Sequence, residues 1–194
     1  MCNGNIQSHY DSRKSRNEFI AKSLSKYIGK SVLNVGGGGQ RYLSDFLSDD
    51  VIYKELDITG ESDYKIDLEN EVIDILDNSF ETVICTEVLE HLDNFHEVYF
   101  ELIRLSSKWV IISLPNAISI VDPYFIESKA VTSDKAGITR GKFMKFYGLP
   151  IKKPDDRHKW FFSYSEAKYF LEYYSESIGF DIVKMFPAGI SVSG

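Results

Sequence analysis

Four consecutive glycines, Gly36 to Gly39, follow directly on a short apolar run, Ser31 to Val35. An apolar run that stops at glycines, with apolar residues at helical spacing beyond them (Tyr42, Leu43, Phe46, Leu47), predicts strand, glycine loop, helix. Glycines at such a place allow a tight turn and let a ligand lie directly against the backbone. In an open α/β sheet this loop stands at the C-terminal end of a strand, where ligands bind.

The rest of the chain continues the alternation. Phe19, Ile20, Leu24, Tyr27 and Ile28 predict a first helix that Gly29 ends. Val51 to Leu56 reads as a second strand ending at Asp57, and Tyr64 to Leu68 as a weaker third. Thr82 to Thr86 is a fourth. Leu92, Phe95, Val98, Tyr99, Leu102 and Ile103 keep a helical period, and Trp109 to Leu114 is a continuous apolar run that suits a fully buried parallel strand. Ala167, Phe170, Leu171 and Tyr174 predict a last helix ending near Gly179, and Phe180 to Phe186 a sixth strand. The expected fold is α/β: a Rossmann-like, doubly wound, mostly parallel sheet with helices on both faces. Between Pro115 and Phe162 the periodicity fails while aromatic residues stay frequent, so 116–162 reads as a cap inserted after strand 5.

Composition narrows the function classes. With 194 residues the chain suits one domain, 1–194. Its two cysteines, Cys2 and Cys85, form neither a disulfide framework nor a zinc pattern, so a reducing, cytoplasmic setting is expected. The polar stretch Met1 to Arg16 lacks the apolar core of a signal peptide, and no apolar run is long enough to span a membrane. A net charge of −7 argues against non-specific nucleic-acid binding. The basic cluster from Lys142 to Lys159 reads as a solvated loop, with a local basic patch as the alternative.

A nucleotide cofactor with a free ribose needs an acid at the end of strand 2, because a carboxylate accepts hydrogen bonds from both hydroxyls. Asp57 stands there, with Glu55 as its competitor. These features alone also fit a nicotinamide dinucleotide. The third small residue of a G-x-G-x-x-G fingerprint, counted from Gly36 and Gly38, is however replaced by Arg41, which weakens a diphosphate-binding reading.

Asp67-Leu68-Glu69, and then Asp77-Asn78-Ser79-Phe80-Glu81-Thr82-Val83-Ile84-Cys85-Thr86-Glu87-Val88-Leu89-Glu90-His91-Leu92, add a further layer. With Val32 to Gln40 and Ser113-Leu114-Pro115-Asn116, they resemble the class I S-adenosylmethionine (SAM) dependent methyltransferases, especially the small-molecule type with an E-V-L-E-H segment after strand 4. The resemblance spans roughly residues 15–116 and 160–186. It implies that Gly36, Gly37 and Gly38 line the methionine and ribose end of the cofactor, and that Asp57 holds the ribose hydroxyls. It also implies that Asp67, with the Leu68 backbone beside it, meets the adenine, and that Glu87 lies near the methionine moiety or the acceptor. Asn34 stands where the family has an acid, and Gln40 where it has a third glycine.

The activity so implied is methyl transfer to a small-molecule or glycan acceptor. An N-P-P-Y type motif is absent after strand 4, which favours a hydroxyl or carboxyl oxygen over a planar amine. His158, in the expected cap, is the candidate catalytic base for a hydroxyl. Two alternatives share the same residues. One is a SAM-binding module without catalysis. The other is a metal-assisted 2′-O-methyltransferase of RNA, in which Glu87, Glu90 and His91 on one helical turn would join His158 around a divalent cation.

Overall fold

The computed structural model describes residues 12–115 and 157–185. Residues 12–114 belong to one compact unit, and 115 with 157–185 to a second.

The first unit is built on a parallel five-stranded sheet. Its strands are β1 (Ser31–Val35), β2 (Ile52–Asp57), β3 (Tyr64–Lys65), β4 (Phe80–Thr86) and β5 (Ser106–Ser113), in the order β3-β2-β1-β4-β5. β1 lies in the middle, with Leu33 opposite Lys54 on one side and opposite Val83 on the other. A strand flanked on both sides must be apolar on both faces, and Val32, Leu33 and Val35 are wholly buried. Helix α2 (Phe95–Leu105) covers β4 and β5. Its buried residues Phe95, Val98, Tyr99, Leu102 and Leu105 form one apolar stripe at the spacing a helix requires.

Helix α1 (Arg13–Ser23) starts and ends earlier than the sequence periodicity predicts. Ser12 is its N-cap and forms a capping box with Ser15, which fixes the start. The helix does not reach Gly29, because Thr82 of β4 captures the chain there. The Thr82 hydroxyl donates to the Tyr27 carbonyl at 2.9 Å and accepts from the Gly29 amide at 2.9 Å. Ser25–Tyr27 is a 3₁₀ turn instead, and Tyr27 packs edge-on against Trp109.

The helix expected after the glycine loop does not form; only a 3₁₀ turn, Ser44–Phe46, stands there. Arg41 holds a left-handed backbone and is tied by an ion pair to Asp63. The loop therefore cannot run straight into a helix. Leu43, fully buried, anchors the connection to the core. β3 stops at Lys65 rather than Leu68, because Asp67 caps a turn of its own. β5 is half-buried rather than fully buried, since among the described residues of this unit it is an edge strand.

In the second unit, α3 (Tyr164–Ile178) opens on a Ser163–Glu166 capping box and ends at Gly179 in the left-handed conformation, where the sequence placed its end. The sixth strand expected over 180–186 is not formed across 180–185; no strand among the described residues of this unit offers it a ladder. Residues 116–156 of the expected cap, with Tyr124, Phe146 and Tyr147, lie outside the described residues. No helix among the described residues is long and apolar enough to cross a membrane.

Candidate functional site

The chain leaves β1 toward β2 and β3, then returns to the other side of β1 as β4 and β5. Strand order therefore reverses between β1 and β4, and the carboxyl ends of the strands at such a reversal are the usual ligand position in an open parallel sheet. Gly36 and Glu87 both stand at this edge, just past the paired residues Val35 and Cys85. The Gly36 amide donates to the Leu56 carbonyl at 2.8 Å. Its positive φ suits a residue without a side chain. Space excludes one as well, because a Cβ on Gly36 would run into Val88.

Glu87 also has a positive φ, a left-handed conformation that a residue with a Cβ rarely takes. β5 secures it there. The Glu87 amide donates to the Ser113 carbonyl at 3.1 Å, and the Ser113 hydroxyl donates to the Glu87 carboxylate at 2.9 Å. The half-buried carboxylate is thus tied to β5, and the short 3₁₀ turn Leu89–His91 begins only after Val88. The expectation that Glu87, Glu90 and His91 share one α-helical face is thereby corrected: Glu87 lies outside that turn. Glu90 is wholly buried, with the His91 imidazole 3.7 Å from its carboxylate. Burial, helped by the charges of Glu90 and Glu87, pushes the Cys85 thiol far above its ordinary range, so it is no nucleophile.

On the β2 side a polar network braces the glycine loop from below. Asp57, the last residue of β2, accepts from the Gly38 amide at 2.7 Å and from the Thr59 amide and hydroxyl at 2.7 and 2.8 Å. Glu55, its competitor in the sequence, is fully buried beneath the loop. It accepts from the Gly39 amide at 3.0 Å and from the Tyr53 hydroxyl at 3.3 Å, and it fills the space a side chain on Gly37 would need. Asn34 donates to that Tyr53 oxygen at 3.0 Å and pairs directly opposite Glu55 across the strands. Burial and then the charge of Glu55 push the Tyr53 hydroxyl well above its usual range, so it stays protonated and able to donate. Both acids therefore hold the glycine loop, Glu55 from beneath and Asp57 from the strand end, where it is 9% exposed.

Arg41 occupies the position that a dinucleotide fingerprint would leave small, and its guanidinium bridges to Asp63 at 2.8 Å and lies over the Tyr53 ring. Lys54 also reaches Asp63, at 2.9 Å, and the Glu55 amide donates to it. Partial burial works against the charged form of Asp63, but hydrogen bonds from Lys54, Arg41 and the Glu55 amide outweigh it and hold the carboxyl down at about 2.

Asp67 accepts from the Asn70 side chain at 2.8 Å and the Glu69 amide at 3.0 Å, and these bonds lower its pKa. The Leu68 carbonyl accepts from Asn94 at 2.7 Å. His158 lies in the irregular stretch 157–163 of the second unit.

The sequence reading passed over Arg13, which the structure brings to the glycine loop. An ideal Cβ on Gly38 would lie 2.7 Å from its Nη1. The available signal was the Ser12–Ser15 spacing, which starts the helix early enough to include Arg13. Compared with known proteins, the chain matches no family model, and no curated protein matches it.

Proposed function

We propose that the chain binds S-adenosylmethionine at the carboxyl edge of its sheet and transfers a methyl group to an oxygen of a small-molecule or glycan acceptor. The observation that carries this reading is the placing of Gly36–Gly38 at the reversal of strand order, between Asp57 at the end of β2 and Glu87 past the end of β4. The residues fit such a group. Gly36–Gly38 carry no side chains at this edge, and Val88, Glu55 and Arg13 pack directly against them. Of the roughly four lone-pair positions on a carboxylate, Asp57 uses three within the protein, which leaves an acceptor for a ribose hydroxyl. No helix starts at the glycine loop, so no helix N-terminus faces a diphosphate there. A phosphate-free cofactor suits that edge better than a dinucleotide.

When bound, the cofactor would supply an activated methyl carbon on a cationic sulfur, which an oxygen displaces in line while the C–S electron pair stays on sulfur. The chain's own residues have the remaining tasks. Gly36 to Gly38 and Asp57 bind, and Asp67 with Leu68 takes the base. Glu87, held by Ser113, presents a carboxylate to the ammonium end or to the acceptor. A hydroxyl acceptor must also lose its proton, and His158 is the group assigned to take it.

Calorimetry on the full chain with SAM, S-adenosylhomocysteine and NAD tests the reading. Binding of the two adenosyl compounds and not of NAD is the expected result. Asp57→Asn should weaken that binding by about 1.5–3 kcal/mol. Binding of NAD alone, or of none of the three, would overturn the assignment. His158→Gln should abolish turnover on an accepted substrate and leave cofactor affinity unchanged.

A further inference from the structure

The glycine loop lacks the feature that commonly makes such loops attract anions. With no helix starting at its end, no helix dipole adds to the loop. Arg13 stands in its place. It is the first residue of α1, set by the Ser12 cap, and its guanidinium lies against Gly38. The side chain is exposed, and among the described residues no ion pair or hydrogen bond holds the guanidinium. The contrast with its neighbours is clear: Lys14 pairs with Asp45, and Arg41 with Asp63. One turn further along the same face of α1, Arg16 Nε and Asn17 Oδ1 are buried without a hydrogen-bond partner. Asn17 is only 8% exposed, and its amide nitrogen braces the helix by donating to the Arg13 carbonyl at 2.8 Å.

We propose that Arg13 is the carboxylate-binding residue of this edge: it takes the α-carboxylate of the amino-acid end of the cofactor and replaces, with a side-chain cation, the missing helix N-terminus. A guanidinium offers a fork of donors that matches a carboxylate. Glu87 stands on the β4 side of the same glycine loop and offers the opposite charge to an α-ammonium group. An amino acid thus meets a cation and an anion on either side of Gly36–Gly38. The inference rests on the SAM reading above, and its test separates the two.

The test compares two ligands that share the adenosine part, of which only one carries an amino-acid end. Calorimetry is run with S-adenosylhomocysteine and with 5′-methylthioadenosine on the wild-type full chain and on Arg13→Gln and Arg13→Lys. Arg13→Gln should weaken S-adenosylhomocysteine on the order of 10- to 100-fold, the loss of a charge-assisted contact, and leave 5′-methylthioadenosine within about twofold. Arg13→Lys should recover part of the loss, as a point charge without the fork. Equal weakening of both ligands, or of neither, overturns the role of Arg13 and leaves the cofactor reading standing. A wild type that binds neither ligand overturns the cofactor reading and this inference with it. Arg13 is exposed, so thermal unfolding of both variants should stay close to wild type, which keeps the comparison one of binding.

Discussion

Glu87 keeps a left-handed backbone. For a residue with a Cβ that conformation costs roughly 1–2 kcal/mol. Such strain persists only where the surrounding structure holds it, as the two bonds to Ser113 do here. Glu87→Gly relieves the strain and Glu87→Ala does not, so urea denaturation should find the glycine variant more stable than the alanine variant by about 0.5–1 kcal/mol. The opposite order would place the strain elsewhere. Asp63 gives a pH signature. Its folded pKa of about 2 lies below the ~3.9 of an unfolded aspartate. The folded state therefore binds the proton less readily, so the contribution to stability is complete above about pH 4 and is lost as the pH falls toward about 2. The pairs of Asp63 with Lys54 and Arg41 are open to solvent. The stability difference between wild type and Asp63→Asn should therefore grow from about pH 2 to about pH 4 and then level off at about 1 kcal/mol or less. A difference that stays constant from pH 2 to pH 6 would rule this out.

At the scale of elements, α2 ties down the chain that precedes β4. Arg104 donates to the carbonyls of Ile73 at 3.1 Å and Ile75 at 2.6 Å, and pairs with Asp77 and Glu101. Those acids hold its guanidinium charged well above any accessible pH. Arg104→Ala leaves two carbonyls without their donor and should cost about 1–3 kcal/mol. Amide exchange should quicken across residues 73–77 while β1 stays protected. Uniform loosening of the sheet would show that the tie is not local. α1 shows the same coupling of a cap to an element, since Ser12→Ala removes its N-cap. The expected cost is about 0.5–2 kcal/mol. The turn that frays first is the one carrying Arg13.

For the molecule as a whole, the topology puts every candidate cofactor residue of the first unit at or beyond the carboxyl ends of the strands, and none at the opposite edge. Addition of S-adenosylhomocysteine should slow amide exchange at residues 36–39, 57–60 and 87–88 and leave 29–31 and 79–81 unchanged. Protection concentrated at the opposite edge would refute the reading of the sheet. The sheet centre sets the stability that any of these tests relies on. Leu33 of β1 is fully buried between β2 and β4. Leu33→Ala should cost about 2–5 kcal/mol. Ile52, exposed at the start of β2, is the natural control. Ile52→Ala should change stability by only about 0.5 kcal/mol or less.

What the sequence determined by itself was local and periodic. The apolar runs of β1, β2 and β4, the glycine stop after Val35, the stripe of α2 and the Gly179 end of α3 each follow from residues close together in the chain, where burial and backbone freedom decide the outcome. The positions of Gly36, Asp57 and Glu87 at one edge followed from that pattern. Only the tertiary structure decided what depends on distant partners. Thr82 stops α1 before Gly29 by taking the polar groups of residues 27 and 29. Asp63, 22 residues away in sequence, holds Arg41 in a conformation that forbids the expected helix. Glu55 turns under the glycine loop while Asp57 reaches its edge, and Arg13 comes to lie on Gly38 across the fold. No periodicity reports such contacts, because each is settled by which hydrogen-bonding or charged group the folded chain brings within reach.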